Sequence, residues 1–314
     1  MTMKNDFASE ERRCELLFLS LCPCWHLYTP ENHPVIFTDE ADYKAAMTLI
    51  ALCSLCFPAV RILTFQWMSN HLHITLTGPE EDITALFTML KRYLKNYLKS
   101  IQRAETLEGW TCKLRRIDNL KDLRNVITYN NRNGFLVNRS YTPFNYPWGA
   151  NRYFFNPDAK IRFRECKETI RLKTIRDITR SHKFDGFVGK PFLDGAVPPM
   201  TFCDITTTEA LFRNPRQYFS LVSRNIEGMK AIADEIGESV YYTDDDLFAA
   251  VRGICQEKYN FRQPSLLPAA AKMDVARRMH FEYNAAPKQI ARILKVDLSI
   301  LGSIFPTMDK RSLP

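Results

Sequence analysis

Residues 71–77 read His-Leu-His-Ile-Thr-Leu-Thr, and this stretch is the clearest indication of the fold in the sequence. Polar and apolar side chains alternate strictly, which predicts a half-buried β-strand because successive side chains of a strand point to opposite faces. Leu72, Ile74 and Leu76 should face a core. His71 and His73 should then project from the opposite, polar face, about 7 Å apart along the strand.

Two imidazoles at this spacing can hold one divalent metal ion jointly. Imidazole nitrogen suits manganese, zinc or iron better than magnesium. A lone His-x-His pair is a weak signal, because exposed strand faces also carry histidines by chance. The functional interpretation therefore depends on a second motif elsewhere in the chain.

That second motif is Tyr-Asn-Asn-Arg-Asn at residues 129–133. It lies in a stretch whose apolar residues recur at helical spacing, namely Leu120, Leu123 and Ile127. Asp118 is the expected N-cap and Gly134 the expected C-terminal stop. Tyr129 and Asn133 are one turn apart on one flank of this helix, beside the apolar stripe. A tyrosine in this position is usually a packing residue, so only the histidine pair makes it a candidate nucleophile.

With both motifs in place, the chain resembles the single-tyrosine HUH transposases, most of all the branch called REP-associated tyrosine transposases. The resemblance covers roughly Cys14 to Tyr153. That family typically has Met-Pro-Asn-His-hydrophobic-His around its histidines, and residues 68–73 here read Met-Ser-Asn-His-Leu-His. Its tyrosine helix typically reads Tyr-Ile-x-x-Asn-Pro, against Tyr-Asn-Asn-Arg-Asn-Gly at 129–134. Its aromatic tail resembles Tyr-Pro-Trp-Ser-Ser, against Tyr-Pro-Trp-Gly-Ala at 146–150.

By matched position, the resemblance implies that His71, His73 and Asn133 ligate a divalent metal, Mg²⁺ or Mn²⁺, and that Tyr129 is the nucleophile. It implies an α+β catalytic domain of ferredoxin-like or RRM-like type, with an antiparallel sheet and helices on one face. The expected activity is metal-dependent cleavage and rejoining of single-stranded DNA through a 5′-phosphotyrosine, in DNA transposition or REP-element processing. The expected partners are single-stranded and hairpin DNA, and two subunits could form a homodimer.

A DNA-binding regulator that keeps the fold without cutting DNA is the alternative. It would tolerate the loss of Tyr129, whereas catalysis would not. A third class, an RNA-binding or structural protein, is favoured by the positive charge alone.

The charge favours a polyanionic partner. The 314 residues carry a formal net charge of +8, and the sequence pI is about 9.0. In the first half of the chain, the predicted DNA-contacting residues are Lys91, Arg92, Lys95, Lys99, Arg115 and Arg116. The first four belong to one predicted helix, where such cations more often form a solvated face but could line a channel for single-stranded DNA. Tyr93, Tyr97 and Trp110 could stack on bases there, although core packing is the simpler role for the two tyrosines.

Residues 287–294 and 298–305 predict two short helices separated by a tight turn, as in a helix-turn-helix. In this interpretation Ser299 lies on the recognition helix, while Lys288 and Arg292 lie near phosphates. A plain three-helix bundle used for dimerisation or packing stays open, and either arrangement makes the C-terminal region all-α. The predicted division is a catalytic domain over 10–155, a helical connector with a Gly/Pro-rich loop over 156–240, and a helical DNA-binding region over 241–314.

The nine cysteines do not form a secretory pattern. Cys22 with Cys24 and Cys53 with Cys56 are spaced like zinc ligands, but the second pair lies in an apolar helix, where cysteine acts as a small hydrophobe. No segment reaches the roughly 20 apolar residues of a membrane span, and the start of the chain is charged. We expect no membrane segment and a cytoplasmic, nucleoid-associated location in a prokaryotic cell.

Overall fold

A computed structural model describes residues 2–137, 141, 145–224, 226–238 and 242–305. Contacts divide the chain into two compact units, Met1–Val222 and Ser223–Pro314. Within the described residues, every strand lies in the first unit, and the regular structure of the second unit is helical.

A four-stranded antiparallel sheet forms the centre of the first unit, in the order β2-β3-β1-β4. Its strands are β1 Cys24–Tyr28, β2 Arg61–Trp67, β3 Leu72–Thr77 and β4 Lys113–Ile117. Helix α2 (Glu40–Ser54) connects β1 to β2, and helix α3 (Glu80–Ser100) connects β3 to β4. The resulting order of elements, β-α-β-β-α-β, is that of ferredoxin-like sheets. The prediction of an α+β fold with an antiparallel sheet is therefore confirmed.

The other helices surround this sheet or form the second unit. The helices of the first unit, the last of which extends just past its end, are α1 Thr2–Leu21, α4 Leu120–Val137, α5 Pro157–Arg164, α6 Leu172–Thr179, α7 Ile205–Ala210 and α8 Pro215–Arg224. In the second unit they are α9 Ile226–Ile236, α10 Asp244–Tyr259, α11 Ala269–Tyr283, α12 Pro287–Leu294 and α13 Leu298–Ile304. No helix in the described part of the chain is long and apolar enough to cross a membrane.

Helix α4 covers the polar face of the sheet, so that all six residues of β3 are buried. Asn130 donates from Nδ2 to Thr75 Oγ1 at 2.8 Å, and Thr64 Oγ1 donates to Asn131 Oδ1 at 2.5 Å. The polar face tolerates burial because these groups exchange water for partners on the helix. The predictions of a half-buried strand and of helices on one face only are therefore wrong.

The opposite face of the sheet packs into an aromatic core beneath α3. Trp67 stacks on Trp110, with ring centroids 6.3 Å apart, and Trp110 packs on Phe87 of α3 at 5.0 Å. Both Trp110 and Tyr93 are buried. Trp110 therefore cannot act as an exposed platform for bases, and Tyr93 has the packing role that was the simpler expectation.

Helix α4 begins and ends differently from the prediction. Asn119 caps it, not Asp118, because Asn119 Oδ1 accepts a hydrogen bond from the backbone N–H of Asp122 at 2.9 Å. At the other end the helix continues through Gly134 to Val137. A glycine inside a helix costs only about 1 kcal/mol relative to alanine. That cost is too small to end a helix whose preceding turn is buried.

Residues 156–222 belong to the first unit, and side chains of α4 form hydrogen bonds with this segment. Arg124 donates from Nε to the carbonyl of Leu211 at 2.7 Å, and Asn131 donates from Nδ2 to the hydroxyl of Tyr218 at 2.8 Å. Tyr218 is fully buried. The boundary between the two compact units therefore falls after Val222 in the sequence, whereas the predicted boundaries fall after residues 155 and 240. The assignment of functions to these segments stays a prediction.

The stretch that resembles the family's aromatic tail docks on the edge strand β2. The N–H of Trp67 donates to the carbonyl of Trp148 at 2.8 Å, and the N–H of Ala150 donates to the carbonyl of Phe65 at 3.1 Å. Gly149 permits this approach, because a Cβ at that position would lie 2.9 Å from the carbonyl oxygen of Phe65.

In the second unit, α12 and α13 match the two predicted short helices. Lys295 reverses the chain between them in the left-handed conformation, with φ near 52°. Asp297 caps α13, where its Oδ1 accepts from the N–H of Ser299 at 2.8 Å. The helix pair is therefore confirmed, while its role in DNA recognition stays a prediction.

We expect Trp110→Ala to lower the free energy of unfolding by about 3–5 kcal/mol, because it leaves a cavity between Trp67 and Phe87. Urea denaturation of the purified protein measures this loss. The matched control is Ile101→Ala, at a site that is 40% exposed, where we expect a change within about 0.5 kcal/mol. A loss below about 1 kcal/mol for Trp110→Ala would contradict the buried placement.

Candidate functional site

His71 and His73 lie together on the covered face of the sheet. Each places a ring nitrogen within 4.8 Å of the other. Their ring centroids are 5.1 Å apart and nearly perpendicular. His73 is fully buried and His71 is 8% exposed. Two nitrogens at this separation fit a shared divalent cation.

Burial keeps both imidazoles neutral at physiological pH. Desolvation lowers the pKa of His71 to about 4. It also lowers the pKa of His73 well below 6.5, and the neighbouring His71 and His26 lower it further. The neutral imidazole is the form that ligates metals. The pair therefore needs no deprotonation to bind a cation near neutral pH.

Helix α4 places Tyr129 directly against these histidines. Its ring lies edge-on to His73, with centroids 5.6 Å apart and planes at 87°. The side chain is only 2% exposed. Asn133, the predicted third ligand, is half-buried one turn further along α4. The fold thus brings Tyr129 to the histidine pair, while the roles of all four residues stay predictions.

The fold adds a residue that the sequence analysis missed, His26 of β1. Its Nε2 lies 3.1 Å from Nδ1 of His73, and it is fully buried. The pKa of His26 is lowered to about 3, mainly by desolvation and also by the charge of Arg115, while an interaction with Asn130 partly opposes the shift. The sequence does contain an alternating run at residues 24–28, Cys-Trp-His-Leu-Tyr, which is typical of a strand. That pattern does not reveal that this strand pairs with β3.

The predicted DNA-contacting cations of α3 divide into two kinds. Arg92, Lys95 and Lys99 are exposed along one side of the helix. Lys91 is half-buried and donates from Nζ to the carbonyl of Trp110. These three exposed cations form the α3 stripe.

Both predicted arginines of β4 form ion pairs. Arg115 Nη2 lies 3.0 Å from a carboxylate oxygen of Asp122, and its side chain is largely buried beside His26. Arg116 Nε lies 3.2 Å from Asp118 on the surface. Asp122 is thus engaged by Arg115.

In the second unit, Lys288 is exposed on α12. Arg292 holds Asp244 through two contacts, Nε to Oδ2 at 2.6 Å and Nη2 to Oδ1 at 2.9 Å. Ser299 is exposed, and its hydroxyl donates to Asp297 Oδ1 at 2.6 Å. DNA contacts by these three residues stay predictions.

Comparison with known proteins adds little to this geometry. No protein-family model matches the chain, and no curated protein matches it. A solved structure of a REP-associated tyrosine transposase bound to a REP hairpin is similar to it at 15% identity, over 43% of this chain and 81% of that chain. The TM-score is 0.36. A likeness at this level carries no argument about function, which must rest on the site.

The buried histidines predict how stability depends on pH. A histidine whose pKa is depressed in the folded state binds its proton more readily in the unfolded chain, so stability falls as pH drops below about 6.5. The free energy of unfolding should therefore decrease from about pH 6.5 to about pH 5, a window above most carboxylate pKa values. Urea denaturation at a series of pH values measures the slope.

The matched variant for this measurement is His26→Gln, which removes one buried imidazole. Each fully buried histidine contributes up to about 1.4 kcal/mol per pH unit to the slope, so we expect a shallower dependence in the variant. Identical slopes in the two proteins would show that His26 is not held neutral by burial.

Proposed function

We propose that this protein cleaves and rejoins single-stranded DNA by transesterification, with Tyr129 as nucleophile and a divalent cation held by His71 and His73. The observation that carries the proposal is the convergence of the three side chains in one buried cluster. His73 lies in β3 and His71 directly precedes that strand. Tyr129 lies on α4, and its ring is in contact with that of His73. A hydrolase that used metal-bound water would not need a tyrosine at this place.

His71 and His73, with Asn133 as the predicted third ligand, would hold the cation, Mg²⁺ or Mn²⁺. When bound, the cation would neutralise negative charge on the phosphodiester. The phenolic oxygen of Tyr129 attacks phosphorus, and the bond from phosphorus to the 3′-oxygen breaks. The phenol loses its proton and the leaving 3′-oxygen gains one. The products are a 5′-phosphotyrosine and a free 3′-hydroxyl, and the covalent link allows the strand to be rejoined without ATP.

A second candidate function is favoured by one observation, the 2% exposure of Tyr129. A nucleophile must reach the phosphate, whereas a residue that only packs α4 against His73 need not. A non-cutting DNA-binding regulator built on the same fold would keep Tyr129 as such a packing residue. The two candidates differ in whether a covalent adduct with DNA forms.

The decisive experiment incubates the purified protein with 5′- and 3′-labelled single-stranded hairpin DNA from the sequence that flanks its own gene, in Mn²⁺ or in EDTA. Tyr129→Phe runs alongside, because phenylalanine keeps the ring that packs on His73 and removes only the hydroxyl. On a denaturing gel we expect a metal-dependent, protease-sensitive adduct on the 3′-side product, and none in the variant.

Other outcomes distinguish the alternatives. Nicking that survives Tyr129→Phe would show hydrolysis by water and overturn the tyrosine mechanism. Binding of equal affinity by both proteins without cleavage would favour the regulator. Circular dichroism of the variant confirms that its fold is unchanged.

The α3 stripe supplies the proposed surface for the DNA backbone. We expect the triple variant Arg92→Gln, Lys95→Gln, Lys99→Gln to weaken single-stranded DNA binding and to flatten its salt dependence by about 0.7 in log–log slope for each lost phosphate contact. Fluorescence anisotropy at several salt concentrations measures both effects.

The control for the α3 stripe removes the same charge from exposed positions outside it, with Lys167→Gln, Lys173→Gln and Arg180→Gln. Because the net charge falls equally in both triple variants, the comparison separates the effect of local contacts with DNA from the effect of the protein's net charge. Equal weakening by both triple variants would count against the α3 stripe as the binding surface.

A further inference from the structure

A closed cycle of hydrogen bonds holds one flank of helix α4. The amide of Asn131 donates from Nδ2 to the hydroxyl of Tyr218 at 2.8 Å. That hydroxyl donates to Oδ1 of Asn151, and Asn151 donates from Nδ2 back to the main-chain carbonyl of Asn131 at 3.2 Å. The Oδ1 of Asn131 also accepts from Thr64 of β2 at 2.5 Å. Asn131 is therefore anchored by its side chain and by its main chain at once.

The cycle lies in the protein interior and its central hydroxyl is rigidly placed. Asn131 and Tyr218 are fully buried, and Asn151 is 1% exposed. The Tyr218 ring stacks on Phe154, with centroids 5.4 Å apart, and meets Phe212 edge-on at 5.0 Å. Burial raises the pKa of the Tyr218 hydroxyl, so it keeps the proton that it donates to Asn151. Loss of one member would leave buried polar groups without partners, which is costly.

Asn131 and Tyr129 lie on opposite flanks of the sheet-facing side of α4. Successive residues of a helix are 100° apart, so Asn130 lies between them. Asn130 bonds to Thr75 of β3, while Tyr129 rests on the ring of His73. A rotation of the helix that released the Asn131 flank would change how the Tyr129 ring meets His73. The placement of the two flanks is therefore coupled.

We propose that Tyr218 and Asn151 are positioning residues for Tyr129: by anchoring Asn131 they set the rotation of α4 that places the tyrosine ring on His73. Tyr218 lies on α8, outside the stretch of the chain that resembles the transposases, so the resemblance gives it no role. The inference rests on the proposed function in so far as Tyr129 is taken as the nucleophile.

The first test records ¹³C spectra of the full chain labelled with ζ-¹³C-tyrosine, in EDTA and without DNA. Tyr129→Phe removes one signal and thereby assigns it. Tyr218→Phe keeps the ring among its aromatic neighbours and removes only the hydroxyl. We expect the Tyr129 signal to shift in this variant, because its ring meets His73 differently. An unchanged Tyr129 signal in folded Tyr218→Phe would overturn the proposal.

Tyr153→Phe is the matched control. Tyr153 is also buried, at 1% exposure, and its hydroxyl accepts from Nη2 of Arg152 at 3.0 Å, a contact that does not involve α4. We expect the Tyr129 signal of this variant to stay at its wild-type position. Equal shifts in Tyr153→Phe and Tyr218→Phe would reflect a general loosening of the fold and would overturn the specific role of Tyr218.

Substitution of the asparagines tests whether Tyr218 acts through Asn131. Asn131→Leu keeps a side chain of similar size and removes the amide, so it should also shift the Tyr129 signal. Asn151→Leu opens the cycle at its other member and should do the same, so the test does not depend on one variant. Tyr218→Phe added to Asn131→Leu should change the signal no further, because coupled sites are not additive. Additive shifts would contradict the proposed route.

Kinetics on the labelled hairpin DNA in Mn²⁺ provide a second readout, which a purely structural role would not produce. We expect Tyr218→Phe to slow adduct formation at saturating DNA by roughly 10- to 100-fold, as a misplacement of about 1 Å can. Its DNA affinity, measured by fluorescence anisotropy, should be unchanged, and Tyr153→Phe should match the wild type in both. Weaker DNA binding with an unchanged rate of adduct formation would contradict a positioning role.

The outcomes are separable from those for the proposed function. A shifted Tyr129 signal in Tyr218→Phe, in a protein whose wild type never forms a covalent adduct, would refute the transesterase and leave the placement of Tyr129 by the cycle standing. Adduct formation at the wild-type rate by folded Tyr218→Phe, with an unshifted Tyr129 signal, would do the reverse.

Discussion

The burial of a polar sheet face under helix α4 is the constraint on which the rest of the first unit depends. A polar group taken out of water costs free energy unless it gains a partner. Thr64 and Thr75 find theirs in two adjacent asparagines of α4. Rotation of the helix by one residue, about 100°, would break both contacts. The hydrogen bonds therefore hold α4 in a single register, and the position of Tyr129 follows from that register.

The same burial determines the chemistry of the site. Removal from water lowers the pKa values of His26, His71 and His73, so that all three are neutral at the pH where a cation would bind. It also encloses Tyr129 against His73. The burial that would favour metal binding therefore also shields the proposed nucleophile from solvent. Access of DNA to Tyr129 is the point at which cutting and non-cutting functions diverge.

The number of cations in the sequence does not show which of them are available to bind DNA. Arg115 and Arg292 contribute to the basic composition, yet Asp122 and Asp244 engage them within the fold. Arg92, Lys95 and Lys99 face solvent on one side of α3. A phosphate backbone would have to compete with a carboxylate for the first two, whereas it would displace only water and counterions from the other three. The exposed stripe is therefore the better candidate for a nucleic-acid surface.

The sequence by itself determined the local features of this protein. Alternation at residues 71–77 predicted β3, helical spacing predicted most of α4, and the helix pair near the C-terminus was found at nearly its observed bounds. These features depend on neighbours along the chain, so periodicity reveals them. Only the tertiary structure decided that β1 lies beside β3, which brings His26 to His73, and that α4 covers the histidine face. Such placements come from the pairing of segments far apart in sequence, and no local pattern encodes which buried polar group will meet which partner.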